Sequence, residues 1–411
     1  MPALRPTAPA SGRVLVAMSG GVDSSVTAAL LHDAGYDVVG ITMKTWDHAT
    51  TGGKAEARQR RAEAEKTGKQ IGCCTVESMN DARRVAVERG FPHFVVDIRE
   101  EFGGAVIERF TSEYLAGRTP NPCVLCNTHI KWDALLRRAD DLGCAYIATG
   151  HYARVGQDEA TGRYVLQRGL DDSKDQSYAL WGLPQHHLAR SLFPLGAFTK
   201  DRIREMADEQ GLAHVAQKPD SYEICFIPDD DYRTFLTKRV DGLRDRVAGG
   251  PFVWEPTGET VGRHKGYPFY TVGQRRGIGI GLGHLTGGAP AYVTRIDAAN
   301  NTVFVGPQEA LLGRRLVARQ LNFVGAADFH EERRVVAQIR YNDRGAPALV
   351  RQTGPDEVEV VFETPRAAIA PGQACVLYDE AGEQVLMGGW IEDAPSDVEA
   401  STDFIALPLA S

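Results

Sequence analysis

Val14-Leu15-Val16-Ala17-Met18-Ser19-Gly20-Gly21-Val22-Asp23-Ser24-Ser25-Val26-Thr27-Ala28-Ala29-Leu30-Leu31 sets the architecture of the chain. Its first five residues are an apolar run that reads as a buried strand. Val26, Ala29 and Leu30 then fall on one helical face, with Gly35 available as the C-terminal stop. Residues 19–25 are therefore a strand-to-helix turn. The two glycines let the backbone approach an anion closely, and the serines add hydroxyl donors. The N-terminus of the helix behind them favours negative charge. The stretch is a phosphate cradle.

It is not a Walker loop, because the Gly-Lys-Ser/Thr ending and its lysine are missing. It is not the dinucleotide Gly-x-Gly-x-x-Gly either. Ser-Gly-Gly-x-Asp-Ser resembles the pyrophosphate loop of ATP-pyrophosphatases, which adenylate an oxygen and expel pyrophosphate. The plainer alternative is an ordinary Gly-rich turn, and the match in the right strand-helix context weighs against it.

Working outward, residues 37–43 read as a second strand, joined to the first by one crossover helix. That is a βαβ unit and hence a parallel sheet. Ligands in such sheets bind at the carboxyl ends of strands, which places Met43 to meet a base; from spacing alone, core packing is the favoured role for it. A helix over 80–89 and a strand over 93–97 come next. Residues 145–149 are another buried strand, ending in Gly150-His151. Residues 163–168 alternate as a strand, and Thr199 is placed to cap a helix running to Gln210, stopped by Gly211. Ser173-Lys174-Asp175-Gln176-Ser177-Tyr178 is a polar cluster whose simplest reading is a solvated turn.

At 411 residues, with 43% hydrophobic and 24% charged content, the sequence fits a soluble protein of two or three domains. It has no apolar run of membrane-spanning length, and residues 1–12 lack a signal-peptide core, so they are expected to be a disordered leader on a cytoplasmic protein. Seven cysteines, an odd count, favour thiol chemistry or metal binding over a disulfide scaffold. A net charge of -8 weighs mildly against nucleic acid, although a local basic face suffices for it. Residues 50–69 look like a solvated insertion, and Cys73-Cys74 are taken as structural.

Thr119-Pro120-Asn121-Pro122-Cys123-Val124-Leu125-Cys126-Asn127 is the second informative stretch. Two prolines are expected to hold the chain extended and block a helix, which puts both cysteines on a constrained loop. Such a C-x-x-C pair can be redox-active, bind metal, or offer one activated thiolate. Lys131 and a helix N-terminus are the groups available to lower a thiol pKa. Trp132, Leu135, Leu136 and Ala139 mark a helix ending at Gly143. Cys144 and Cys375 are read as packing. Ile224-Cys225-Phe226-Ile227 would ordinarily be core; its place on a Pro-bounded segment after the α/β region argues for a functional loop.

From Asp229 the character changes. Residues 232–240 read as a helix, followed by Gly-rich sequence, and this part of the chain is basic at Lys238, Arg239, Arg244, Arg246, Arg263, Lys265, Arg275 and Arg276. After Pro290 come short alternating runs over 291–296, 302–305, 334–341, 357–363 and 374–378, with Asn300-Asn301 suited to a hairpin turn. These suggest a small β-barrel. The expected division is a leader over 1–12, a phosphate-loop α/β domain over 13–228, a central domain over 229–289 and a barrel over 290–411.

The pyrophosphate loop, Thr119 to Asn127 and Ile224 to Ile227 occur together with Ala148-Thr149-Gly150-His151-Tyr152, Lys174 to Tyr178 and Thr271-Val272-Gly273-Gln274-Arg275. In this combination, from Val14 to about residue 390, the chain resembles the bacterial tRNA-specific 2-thiouridylases. The resemblance implies an α/β fold: a Rossmann-like parallel-sheet pyrophosphate-loop domain, a small central domain and a C-terminal β-barrel. It implies ATP binding by Ala17, Met18, Ser19, Gly20, Gly21, Val22, Asp23, Ser24, Met43 and Gly150, with Mg²⁺. It assigns the target uridine to Asn121, Pro122 and Cys123. It assigns tRNA contacts to His151, Lys174, Asp175, Gln176, Arg340, Tyr341 and Gln373. The implied reaction is 2-thiolation of the wobble uridine of tRNAs for Lys, Glu and Gln, fed by a sulfur-donor protein, in the cytoplasm and away from membranes.

Two sulfur chemistries stay open. In one, Cys225 carries a persulfide and Cys126 is its catalytic partner, the two ending as a disulfide. In the other, Cys123, Cys126 and Cys225 ligate a [4Fe–4S] cluster; some relatives carry Asp where this chain has Cys123, which removes the general base assigned there. The rivals are another adenylating synthetase, which needs neither the reactive cysteines nor the appended barrel, and an inactive tRNA-binding or sulfur-trafficking protein, against which the intact loop speaks.

Overall fold

The computed structural model describes residues 4–5, 12–46, 76–218, 224–227 and 231–394. Most of the expected leader, the 50–69 insertion and Cys73-Cys74 lie outside them. The chain divides into two compact units, one formed by Met1–Ile107 with Pro122–Phe235, the other by Glu108–Asn121 with Leu236–Ser411.

The first unit contains β1 (Leu4–Arg5), β2 (Arg13–Ala17), β3 (Asp37–Lys44), β4 (His93–Asp97), β5 (Tyr146–Ala148), β6 (Ala153–Asp158), β7 (Tyr164–Arg168) and β8 (Ser191–Leu192). Five of these make a parallel sheet in the order β4-β3-β2-β5-β8. β2 is central, and Val14, Leu15 and Val16 are fully buried, which is why that strand reads as an unbroken apolar run. Helix α1 (Val22–Asp33) returns over the sheet and ends before Gly35, whose φ of +88° a side chain would strain. Helices α2 (Val76–Arg89), α3 (Asp133–Asp141) and α4 (Lys200–Glu209) come after it. Val26 and Ala29 of α1, Ala82 and Val85 of α2 and Ile203 and Met206 of α4 share one core. Thr199 caps α4 as expected, its side chain accepting from Arg202 N at 3.4 Å.

Two expectations are overturned. Residues 118–121 belong to no helix or strand, but Pro122 begins a helix instead of blocking one. Pro122–Leu125 is α-helical, Cys126–Trp132 continues as π-helix, and α3 runs on from it. Proline is tolerated at the first helical position because its missing N–H has no intrahelical partner there. Cys123 and Cys126 are therefore one turn apart on a helix, not on a loop. The second correction concerns the barrel.

In the second unit, β9 (Pro251–Trp254), β10 (Glu259–Arg263), β11 (Tyr292–Asp297) and β12 (Thr302–Gly306) form one sheet in the order β10-β9-β12-β11, with β9 and β12 parallel. The runs over 291–296 and 302–305 thus belong to the central sheet and not to the barrel expected from residue 290. Their alternation reveals a strand but not which sheet it joins. Asn301, at φ +49°, makes the expected turn between them. The barrel has six antiparallel strands, β13 (Leu312–Phe323), β14 (Arg333–Gln338), β15 (Ala346–Gly354), β16 (Glu357–Ala367), β17 (Ala374–Tyr378) and β18 (Gln384–Asp393). It runs β18-β13-β16-β15-β14-β17 and closes through β17–β18 pairing. Closure removes the unpaired edges an open sheet would leave.

Candidate active site

The pyrophosphate loop leaves the carboxyl end of β2, with Met43 near the end of neighbouring β3 and Gly150 just past neighbouring β5. Ser24 Oγ closes the loop: it accepts from Ser19 N at 3.1 Å and donates to Gly21 O at 3.2 Å. Ser25 Oγ donates to the same carbonyl at 2.9 Å. Ser24 and Ser25 are buried and Ser19 is exposed, so the first hydroxyl is the one that faces solvent. Gly20 has φ +76°, and a Cβ there would lie 1.9 Å from Ser78 O. A Cβ on Gly150 would lie 2.9 Å from Ser24 N and 3.0 Å from the Asp23 carbonyl carbon. Both glycines are demanded by close backbone approach. Met43 is half-buried.

Two lysines that sequence reasoning missed stand at this loop. The buried Lys200 places Nζ 2.8 Å from Asp23 Oδ1 and 2.8 Å from Oδ2, and Tyr152 OH donates to Asp23 Oδ1 at 2.7 Å. Lys218 Nζ donates to Gly20 O at 2.9 Å and pairs with Asp81. The Walker lysine is absent from the motif, and these cations reach the loop from distant parts of the chain. The only local signal was that Lys200 follows a helix cap and Lys218 precedes the Cys225 segment.

Cys123 is exposed and Cys126 is buried. Although part of its surface is exposed, Cys123 is surrounded closely enough by protein for desolvation to raise its thiol above the ordinary value, and the Lys131 ammonium opposes that shift. Asn127 is buried, its Nδ2 donating to Ala179 O at 2.9 Å. Cys225 is half-buried on a turn closed by Ile227 N donating to Ile224 O at 2.9 Å. Phe226 anchors that turn, its ring centroid 5.6 Å from Phe102, 5.5 Å from Phe235 and 6.5 Å from Trp46. Residues 219–223 and 228–230, to either side, lie outside the described residues. Cys123, Cys126, Cys144, Cys225 and Cys375 are not joined in disulfides. Cys144 and Cys375 are core residues as expected, and burial pushes the Cys375 thiol up to about 12. Among the described residues no three His, Cys, Asp or Glu side chains converge to hold a metal.

Of the residues expected at tRNA, His151 is half-buried, bonded through Nδ1 to Thr149 Oγ1 at 2.7 Å and packed on Trp132. Burial, aided by Lys131, drives its pKa well below the ordinary value, so it is a neutral imidazole. Asp175 is consumed by its own turn: it pairs with Arg168 at 2.9 Å and accepts from Gly169 N, Ser177 N and Ser177 Oγ. Gln176 Oε1 accepts from Tyr152 N at 3.0 Å, and Lys174 N donates to Asp171 O at 2.9 Å. The cluster is an ordered turn with Lys174 half-exposed on it.

In the second unit Tyr341 is exposed, and Arg340 Nη2 donates to Ala367 O at 2.5 Å. Gln373 Nε2 donates to Thr119 O at 3.1 Å and Pro120 O at 3.3 Å, and Asn121 is half-buried beside them in sequence. Lys238, Arg239, Arg244, Arg246, Arg263, Lys265, Arg275 and Arg276 are all exposed. An acidic protein thus carries a basic stretch able to meet phosphates. No helix among the described residues is long and apolar enough to cross a membrane.

Three family profiles cover the chain. They are described as a tRNA methyl transferase HUP domain over residues 12–229, a tRNA methyl transferase PRC-barrel domain over 235–307 and an aminomethyltransferase beta-barrel domain over 313–391. The chain is 62% identical over 382 residues to the tRNA-specific 2-thiouridylase MnmA of Salinibacter ruber, covering 93% of this chain and 94% of that protein. It is 56% identical to the protein of the same name from Amoebophilus asiaticus, covering 93% and 95%. Among solved structures, a 4-thiouridine synthetase–RNA complex with bound ATP is similar at a TM-score of 0.31 and 16% identity, over 51% of this chain and 43% of that one.

Proposed function

This chain belongs to the tRNA-specific 2-thiouridylase MnmA family of tRNA sulfurtransferases, and from that premise we propose how its residues divide the reaction. The observation that carries the reading is the closed Ser19–Ser24 loop at the mouth of a parallel sheet, flanked by two lysines and followed in the chain by Cys126 and Cys225.

A uridine C-2 oxygen is a poor leaving group. The enzyme makes it a good one by letting that oxygen attack the α-phosphorus of ATP, forming the O-adenylated base and releasing pyrophosphate. Ala17 to Ser24, Met43 and Gly150 hold the nucleotide. The loop amides, the Ser19 hydroxyl, Lys200 and Lys218 take up the polyphosphate charge. Mg²⁺ bound to those phosphates would neutralise part of their charge beside the loop amides and Ser19.

The terminal sulfur of a Cys225 persulfide, loaded by a sulfur-donor protein, then bonds to C-2 as the C-2–oxygen bond breaks and AMP leaves. The Cys126 thiolate attacks Cys225 Sγ, breaking the sulfur–sulfur bond to the base. The electron pair stays on the base sulfur, giving 2-thiouridine and a Cys126–Cys225 disulfide that an external thiol reduces. Asn121, Pro122 and Cys123 receive the base. His151, Lys174, Asp175, Gln176, Arg340, Tyr341 and Gln373, with the basic stretch of the second unit, serve the tRNA; the ordered turn around Asp175 suits that residue to shaping the surface. The substrates are the wobble uridines of tRNAs for Lys, Glu and Gln, and the site of action is the cytoplasm.

Among the described residues Cys123, Cys126 and Cys225 do not stand together as the ligand set of a [4Fe–4S] cluster. No step is routed through one. Reconstitution with ATP, tRNA and a persulfide donor, followed by mass analysis of the digested nucleosides, tests the reading. The wild type yields 2-thiouridine with one AMP per sulfur, and Cys225→Ser yields none. Equal product from both, or thiolation without AMP, overturns it.

A further inference from the structure

Thr42 precedes Met43 on β3, and its side chain reaches across to the entry of the pyrophosphate loop. The pairing of β2 with β3 ends at Ala17 and Ile41. One residue on, Met18 N donates to Ile41 O at 2.8 Å, and Met18 O accepts from Thr42 Oγ1 at 2.7 Å. Thr42 Oγ1 also lies 2.9 Å from Nε2 of His93 on β4. A hydroxyl has one proton, and this one is given to Met18, so the imidazole is the donor to Thr42. His93 is thereby fixed as the tautomer protonated on Nε2. The ring lies against Gly40, where a Cβ would fall 3.0 Å from His93 Cδ2 and 2.8 Å from Met18 Sδ.

These bonds converge on one peptide. The Met18 carbonyl and the Ser19 amide belong to the same planar unit. Its oxygen is held by Thr42. Its N–H donates to Ser24 Oγ at 3.1 Å, and Ser24 Oγ donates on to Gly21 O at 3.2 Å. The donors point one way from β4 to the loop: His93 to Thr42, Thr42 to Met18, Ser19 to Ser24, Ser24 to Gly21. Members of such a chain strengthen one another. Met18, Thr42 and Ser24 are buried, which leaves water little access to replace a missing member.

We propose that Thr42 is a positioning residue for the nucleotide step: by holding the Met18 carbonyl it fixes the Met18–Ser19 peptide, and with it the closed Ser19–Ser24 loop that receives the phosphates of ATP. The inference rests on the ATP-binding reading of that loop. With the carbonyl released the peptide can turn, the Ser19 amide leaves Ser24, and only a fraction of the molecules hold the loop ready. Apparent affinity for ATP falls by that fraction, while the rate at saturating ATP is kept.

The test uses full-length variants. AMP release is followed against ATP concentration with saturating tRNA and persulfide donor, and ATP binding to RNA-free protein is measured by equilibrium dialysis. Thr42→Val keeps the shape and removes the hydroxyl. It raises both KM and Kd for ATP about tenfold, with kcat within about twofold of wild type. Thr42→Ser keeps the hydroxyl, loses the methyl group and stays within about twofold in KM and Kd. A purely packing role predicts the reverse order, since Val fills the site and Ser does not. His93→Phe removes the donor that orients the hydroxyl and raises KM about threefold; combined with Thr42→Val it adds nothing, because both act through one bond. If Thr42→Val is unfolded at the assay temperature, His93→Phe carries the test. An unchanged KM for ATP in the variant that carries it, or equal losses in Thr42→Val and Thr42→Ser, overturns the proposal. Wild type that neither binds ATP nor forms AMP would instead sink the nucleotide reading of the loop, and the same assays distinguish that failure.

Discussion

Lys200 Nζ lies 2.8 Å from both carboxylate oxygens of Asp23, so the acid inside the pyrophosphate loop is clasped by a buried cation 177 residues further along the chain. Nucleotide phosphates arriving at this loop meet an ammonium that already has one anionic partner and is held in place by it. Lys200→Met removes the cation and leaves Asp23 with Tyr152 alone. Breaking a pair on its buried side costs about 3 kcal/mol of stability. AMP formation at saturating tRNA is expected to fall by at least about tenfold. Denaturant unfolding and AMP release measure the two effects. A variant that cleaves ATP at the wild-type rate would show the lysine to be merely structural.

Gly20 and Gly35 both have positive φ, +76° and +88°, but only one of them is crowded. A methyl on Gly20 would fall within bonding distance of the Ser78 carbonyl, whereas nothing lies within 4 Å of the Gly35 position. Gly35→Ala costs about 1 kcal/mol, the strain of the left-handed backbone, and keeps nucleotide use. Gly20→Ala displaces the loop and abolishes AMP formation. Parallel assays of the two separate loop geometry from backbone strain; similar activities would contradict this account.

Phe226 holds the Cys225 turn by inserting a fully buried ring among Phe102, Phe235 and Trp46. Phe226→Ala is expected to cost about 3–5 kcal/mol. Phe226→Leu retains most of the volume and costs about 1 kcal/mol. Because the ring positions the thiol, Phe226→Leu should still lower Cys225-dependent thiolation while leaving ATP affinity intact. Thiolation at the wild-type rate by this variant would detach the aromatic cluster from the sulfur step.

The parts of this protein that could be read from its sequence are those written by local chemistry. The strand-loop-helix of Val14 to Leu31 announces itself because a buried parallel strand is apolar throughout and a phosphate loop needs glycine next to hydroxyls. Cys126 and Cys225 stood out because thiols next to prolines are conspicuous. Lys200, Lys218 and Asp81 did not, because their roles arise only when the fold brings 200 to 23, and 218 to 20 and 81. The helical start at Pro122 was missed because proline both ends helices and begins them, and the difference lies in which backbone N–H groups need partners. The placement of β11 and β12 was missed for a related reason: a parallel bond between β9 and β12 is a long-range choice that alternation does not encode.

Acid should destabilise the protein before its carboxylates titrate. Burial, with His186 adding to it and Asp133 opposing it, lowers the His187 pKa from 6.5 to about 4. Burial likewise lowers His151, far below 6.5, and His93 and His264. These imidazoles are neutral in the folded state. As pH falls through 6.5 the unfolded chain binds protons the folded protein refuses, so stability drops. For His187 the loss runs from 6.5 down to about 4 and amounts to about 3 kcal/mol. Urea midpoints should therefore decline steadily between about pH 7 and pH 5, and less steeply in His187→Gln. A flat profile over that range would mean these rings are protonated in the folded protein.

In the proposed reaction Cys126 and Cys225 have unequal tasks, and their variants should fail differently. Cys225→Ser has no sulfur to deliver: ATP is still cleaved slowly in the presence of tRNA, and no sulfur reaches the base. Cys126→Ser accepts the persulfide and bonds it to C-2 with loss of AMP, but lacks the thiolate that frees the product. RNA should then accumulate on the protein through a Cys225–sulfur–sulfur–C-2 linkage, visible as a band retarded on a non-reducing gel. Dithiothreitol should cleave it and release 2-thiouridine, since an external thiol does what Cys126 no longer can. Exposed Cys123, one helical turn from Cys126, is the residue best placed to rescue this step partially, so Cys123→Ser in the Cys126→Ser background should raise the trapped fraction. If Cys126→Ser instead turns over freely and traps no RNA, sulfur leaves Cys225 by a route that does not use Cys126, and the division of labour between the two thiols is wrong.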